Sequence, residues 1–155
     1  MLIDLNNETP HIGVRINDKV YQIYANDKTE ALIDKVVGHY FEQADQLDAL
    51  RKKLEDAANG DGKVSEKDIT DFSNKIIKEL REKLISLFDE LLDEKGVGKK
   101  LWEAKHGSTE LLMSDLQTIQ DALRNEKNGY EKRRQQMLKD KYPVRNLKRR
   151  QNARK

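Results

Sequence analysis

From Ile12 to Tyr24 apolar and polar residues alternate on both sides of Asn17-Asp18, after a loose lead-in that ends at Pro10. Asn and Asp tolerate positive φ, so the alternation predicts a β-hairpin with a two-residue turn. In that register Val14 faces Tyr21 and Ile12 faces Ile23. A lone hairpin is marginal in water, so this one must pack on a helix or pair with another chain. The period then lengthens. From about Thr29, a plausible N-cap, to Ala57, the residues Ile33, Val37, Tyr40, Ala44, Leu47, Leu50 and Leu54 step by three and four, which predicts a long amphipathic helix. Asn59-Gly60-Asp61-Gly62 breaks it. A second helix is predicted from Ser65, where Asp68 completes a capping-box spacing. Its stripe is Ile69, Phe72, Ile76, Leu80, Leu84, Leu87 and Leu91, widened by Ile77, Phe88 and Leu92. Two such helices joined by a short loop are expected to form an antiparallel pair.

Gly96-Val97-Gly98 ends that helix, as a C-cap would. Residues 99–105 suit a short helix closed by Gly107. A further helix is expected from Ser108 or Thr109, carrying Leu112, Leu116, Ile119 and Leu123. After Asn128-Gly129 the apolar pattern thins, and Pro143 stops whatever helix remains. The last dozen residues have almost nothing to bury and are expected to be disordered. The fold class read from these patterns is mainly α (α+β): an N-terminal hairpin, a bundle of long amphipathic helices and a disordered basic tail.

Composition sharpens this picture. Of 155 residues, 36% are hydrophobic and 37% charged, a polar balance that suits helices with wide solvated faces. Residues 1–131 hold 19 Lys or Arg against 27 acids, and residues 132–155 hold 11 Lys or Arg against one acid. A net charge of +2 therefore conceals an acidic domain of −8 and a basic tail of +10. Asymmetry of this size bears on partners rather than on fold. With no cysteine, disulfides, thiolate metal sites and a cysteine nucleophile are excluded. Neither a secretory signal nor a membrane-spanning run is visible, so a soluble cytoplasmic protein is expected.

Candidate chemistry is sparse. Asn59 to Asp68 resembles a calcium-binding EF-hand loop, with Asn59, Asp61, Ser65 and Asp68 as candidate ligands. However, Ala57 stands at the first ligand position, and Asp68 replaces the usual bidentate Glu. The bland alternative is a Gly-rich turn before a capped helix. Gly96-Val97-Gly98-Lys99-Lys100 lacks the spacing of a phosphate loop. His11, His39 and His106 lie far apart and show no ligand spacing. Asp89-Glu90 and Asp93-Glu94 read as a solvated helix end rather than an acid–base pair. Trp102, the only tryptophan, either seals a core or anchors a partner. The tail, with Arg133, Arg134, Arg145, Lys148, Arg149 and Arg150, suits phosphates or an acidic protein surface equally on charge alone. Its aromatics, Tyr130 and Tyr142, are too few for base stacking. An enzyme is not expected, and no cofactor is implied.

Three patches together resemble a known family. They are Ile12-x-Val14-x-Ile16-Asn17-Asp18-Lys19-x-Tyr21, then Lys95-Gly96-Val97-Gly98-Lys99-Lys100-Leu101-Trp102 leading into a Leu-rich helix, and a basic end from Lys141-Tyr142-Pro143 to Arg149-Arg150. This order is similar to that of the tail assembly chaperones, small proteins encoded beside the tape measure in long-tailed, siphovirus-type phages and prophages of Gram-positive bacteria. The resemblance implies a non-enzymatic protein of the bacterial host cytoplasm that self-associates. It would coat the tape measure protein and yield it to tail tube protein subunits. In that case the obvious contact surfaces are the hairpin edge, the stripe from Ile69 through Phe72, Ile76, Leu80, Leu84 and Leu87 to Leu91, and Trp102. The alternatives are a nucleic-acid-associated helical protein acting through its tail, or a degenerate EF-hand-like calcium module.

Overall fold

A computed structural model describes residues 1–3, 9–57 and 65–141. Two strands, β1 (His11–Ile16) and β2 (Lys19–Tyr24), precede four helices: α1 (Asp27–Ala57), α2 (Glu66–Leu91), α3 (Val97–Ala104) and α4 (Thr109–Lys141). The fold is mainly helical with an N-terminal antiparallel hairpin, as the periodicities predict. The hairpin register pairs Ile12 with Ile23 and Val14 with Tyr21, and Asn17 takes the positive φ that the turn needs. Ile12, Val14, Ile16, Tyr21 and Ile23 form the inner face and pack on the helical core. This supplies the support a two-stranded sheet cannot provide alone.

The helix starts follow local chemistry, with one correction. The first helix begins at Asp27, and its cap is Asn26 rather than Thr29: the Asn26 side-chain oxygen accepts a hydrogen bond from the Thr29 amide at 2.9 Å. Asn and Thr both cap helices. The choice falls on Asn26 because the hairpin ends at Tyr24 and leaves only two residues before the helix. The capping box of α2 forms as its spacing predicts, with Ser65 Oγ accepting from the Asp68 amide and the Asp68 carboxylate accepting from the Ser65 amide. Ser108 caps α4 through the Leu111 amide.

One stretch of α2 organises the core. Leu80, Leu84, Leu87, Phe88, Leu91 and Leu92 are all buried, packed with Ile23, Ile33 and Val36 on one side and Val97, Leu112, Leu116 and Ile119 on another. Burying a side chain such as Phe88 contributes about 1.5–3 kcal/mol. Ile77, expected to widen this stripe, is instead 51% exposed. It lies beyond the main cluster, which among the described residues begins on α2 at Leu80. Among the described residues, none of α1 past Tyr40 and none of α2 before Leu80 joins the main cluster.

The corner between α2 and α3 rests on two glycines with different duties. Gly96 has φ +90°, a conformation that residues with a Cβ rarely adopt, and it precedes α3 rather than capping α2. Gly98 lies inside α3, where a Cβ would fall 2.1 Å from the Ile85 carbonyl oxygen. The helices touch backbone to backbone there. Gly38, by contrast, has nothing within 4 Å of a built Cβ. We expect Gly98→Ala to destabilise the protein by about 1–3 kcal/mol through overpacking. Gly38→Ala should stabilise it by up to about 1 kcal/mol through helix propensity. Urea titrations followed by circular dichroism check both signs.

Candidate protein-binding site

The acids at the end of α2 hold elements together. The Asp89 carboxylate accepts hydrogen bonds from the Gly96 and Gly98 amides, at 3.2 and 2.7 Å. It thereby serves the free amides at the start of α3 from seven and nine residues upstream. Glu94 accepts from the Tyr21 hydroxyl and pairs with Lys19 at 3.1 Å, fastening the hairpin to the corner. The expectation of a merely solvated helix end is therefore corrected for these two residues: each side chain meets a donor that the fold, not the sequence, brings near. Lys105 pairs with Asp115 at 3.0 Å and ties α3 to α4.

The predicted apolar stripe divides in two. Leu80, Leu84 and Leu91 are buried in the chain's own core and as they stand offer no surface to a partner, and Leu87 shows only an edge of its side chain. Ile76 is buried just outside the main cluster. Ile69 and Phe72 remain half-buried, as do Ala44, Leu47, Leu50 and Leu54 on α1. These are the apolar positions of a two-helix arm. His39 of α1 lies 4.0 Å from Glu79 of α2, which fixes the level at which the two helices meet. At the same level Phe41 and Ile77 are 55% and 51% exposed.

Trp102 is half-buried at the corner. The Arg81 guanidinium lies 5.3 Å from its ring, and a Cβ on Gly107 would meet the ring at 3.3 Å. Its indole Nε1 is buried without a hydrogen-bond partner among the described residues. The ring thus fills the angle between α2, α3 and the turn into α4.

Between α1 and α2, beside the arm, runs an open groove of about 680 Å³. Leu32, Val36 and Leu87 supply its apolar surface, and Asp34, Glu42, Glu79, Glu82 and Glu90 outnumber Lys35 and Lys83 around it. Sequence reasoning missed this groove, because its residues come from the polar flanks of two separate stripes.

At the other end of the body α4 continues well past its last buried residue, Leu123. Every residue from Glu131 to Asp140 is exposed, Arg133 and Arg134 included. The change of charge at 131/132 falls inside this helix. Glu, Lys, Arg, Gln, Met and Leu are all strong helix formers, which accounts for its persistence where the apolar pattern thins. Arg145, Lys148, Arg149 and Arg150, and the end expected to be disordered, lie outside the described residues. So do Asn59 and Asp61 of the EF-hand-like loop. Its other two candidates, Ser65 and Asp68, satisfy one another in the α2 capping box.

Known protein families, curated proteins and solved structures offer no guide to this geometry: none matches the chain. No helix among the described residues is long and apolar enough to cross a membrane.

The Glu94 contact makes stability depend on pH in a defined way. The Tyr21 hydroxyl first, and then Lys19, holds the Glu94 carboxyl below its ordinary value. In turn, Tyr21 and Lys19 are each raised mainly by their own hydrogen bonds to Glu94. A depressed carboxylate stabilises the fold above its unfolded pKa, and that contribution is lost as pH falls through the folded value. The raised Tyr21 and Lys19 contribute below their unfolded values, and lose this as pH rises through the folded ones. We therefore expect the melting-temperature gap between wild type and Glu94→Gln to be widest between about pH 5 and 9. Thermal melts across the pH range should show it narrowing at both ends.

Proposed function

We propose that this protein is a non-enzymatic assembly chaperone of the phage tail type. In this reading it binds a long helical tape measure protein in the host cytoplasm and releases it to tail tube subunits. The observation that supports the reading best is the arm. Two long amphipathic helices run beyond the core with their apolar residues only half covered by one another. An amphipathic helical client can complete such a surface by laying its own apolar face along it. Release is then straightforward, because no covalent step or closed pocket holds the client. The resemblance carried by the hairpin, the glycine corner and the basic end supplies the biological setting.

The arm's position also suits the task. Its residues lie outside the main core, so a client can engage and leave without disturbing the packing around Leu84 and Phe88. The test is co-expression with the tape measure protein that the resemblance implies is encoded beside this chain. We expect the client to stay soluble and to co-purify. Phe41→Ser/Ile77→Ser changes two exposed side chains and should leave the melting temperature nearly unchanged, while client retention falls about tenfold, as for loss of interface anchors. Failure of the wild-type chain to retain either tape measure or tail tube protein would overturn the proposal.

A further inference from the structure

The groove between α1 and α2 and the exposed end of α4 are complementary. The groove presents half-buried Leu32 and the edges of the core residues Val36 and Leu87 beneath an excess of carboxylates. The end of α4 presents the opposite combination. Met137 and Leu138 are 56% and 49% exposed. They sit three and four residues after Arg134, hence on its face of the helix. Arg133, four residues before Met137, is exposed on the same face, within 3.7 Å of Glu126 of its own helix. The lengths agree as well. From Leu32 to Glu42, and from Glu131 to Lys141, the helices each advance roughly 15 Å.

The same helix cannot reach its own groove. Gln120 of α4 contacts Asp34 at 3.3 Å, and Lys127 pairs with Glu30 at 3.0 Å. Progress along α4 therefore runs backwards along α1. Beyond Lys127 the next turns pass the start of α1 at Asp27, while the groove begins at Leu32 and extends the other way. A continuous helix does not double back over that distance. The tip is carried away from its own groove and is free to meet another.

We propose that the projecting end of α4 docks into the α1–α2 groove of a second copy of this chain. The mode is a helix in a groove: Met137 and Leu138 cover the apolar floor, and Arg133 and Arg134 face the acidic rim. Methionine adapts its shape to an irregular floor. Two copies can exchange tips reciprocally about a two-fold axis, which fills both grooves and leaves neither tip exposed. The contact needs no client and does not rest on the chaperone reading.

The test is the mass of the purified full chain, measured by light scattering over a range of concentrations at low salt. We expect a dimer, weakened by added salt because charge contributes to the contact. Arg133→Glu/Arg134→Glu reverses the tip, and Glu82→Lys/Glu90→Lys reverses the rim. All four side chains are exposed, so circular dichroism should find both variants folded. Each should dissociate at a concentration about tenfold or more above that of wild type, since like charges then face one another. Combining both reversals in one chain should restore the dimer. A wild-type monomer at every concentration, a dimer indifferent to either reversal, or a combined variant that stays monomeric would each overturn the proposal.

Discussion

Leu84 and Phe88 lie one turn apart on α2, and each is almost completely removed from solvent. The remaining elements gather around this turn of helix. Ile23 brings in the hairpin, Ile33 and Val36 bring in α1, Val97 brings in α3, and Leu112 and Leu116 bring in α4. A chain this rich in charge has few apolar residues with which to build a core, and most of the fully buried ones meet here. The polar contacts then act as guides. Asp89 directs α3 across α2, and Glu94 directs the hairpin onto the same corner. Exposed ion pairs alone would add little. Their importance lies in choosing one arrangement of elements around a core that sets the stability.

Much of this was legible in the chain because periodicity is a local property. Alternation around Asn17-Asp18 implied both the turn and the register, and the Ser65–Asp68 spacing implied a reciprocal cap. Periodicity does not say what will cover an apolar face. Leu80 to Leu91 and Ile69 to Phe72 belong to one continuous stripe, yet the first group is core and the second is half-covered arm. The division depends on where the hairpin, α3 and α4 land. Asp89 and Glu94 were misleading for a related reason. Within a helical charge run they look like solvated acids, and only the sharp turn at Gly96 brings donors to them. The acidic groove was hidden more deeply, since neither of its walls is a motif by itself.

The distribution of charge gains meaning once placed on the fold. The acids of α1 and α2 flank a groove with an apolar floor, whereas the described basic residues after 131 occupy a helix end that stands clear of the body. Charges of opposite sign are thereby kept apart within one molecule even though they nearly cancel in sum. Such an arrangement favours contacts between molecules, and it makes those contacts sensitive to ionic strength.

The uneven covering of α2 gives a single helix two mechanical characters. Its C-terminal half is clamped on several sides, while its N-terminal half, among the described residues, stands outside the main core cluster. Backbone amides near Ile69 and Phe72 should therefore exchange with solvent through local opening, whereas those near Leu84 and Phe88 wait for the whole domain to unfold. The only tryptophan stands at the clamped end. Fluorescence from Trp102 thus follows the core and is blind to the arm, so the arm can fray and re-form within a protein that looks fully native by that signal.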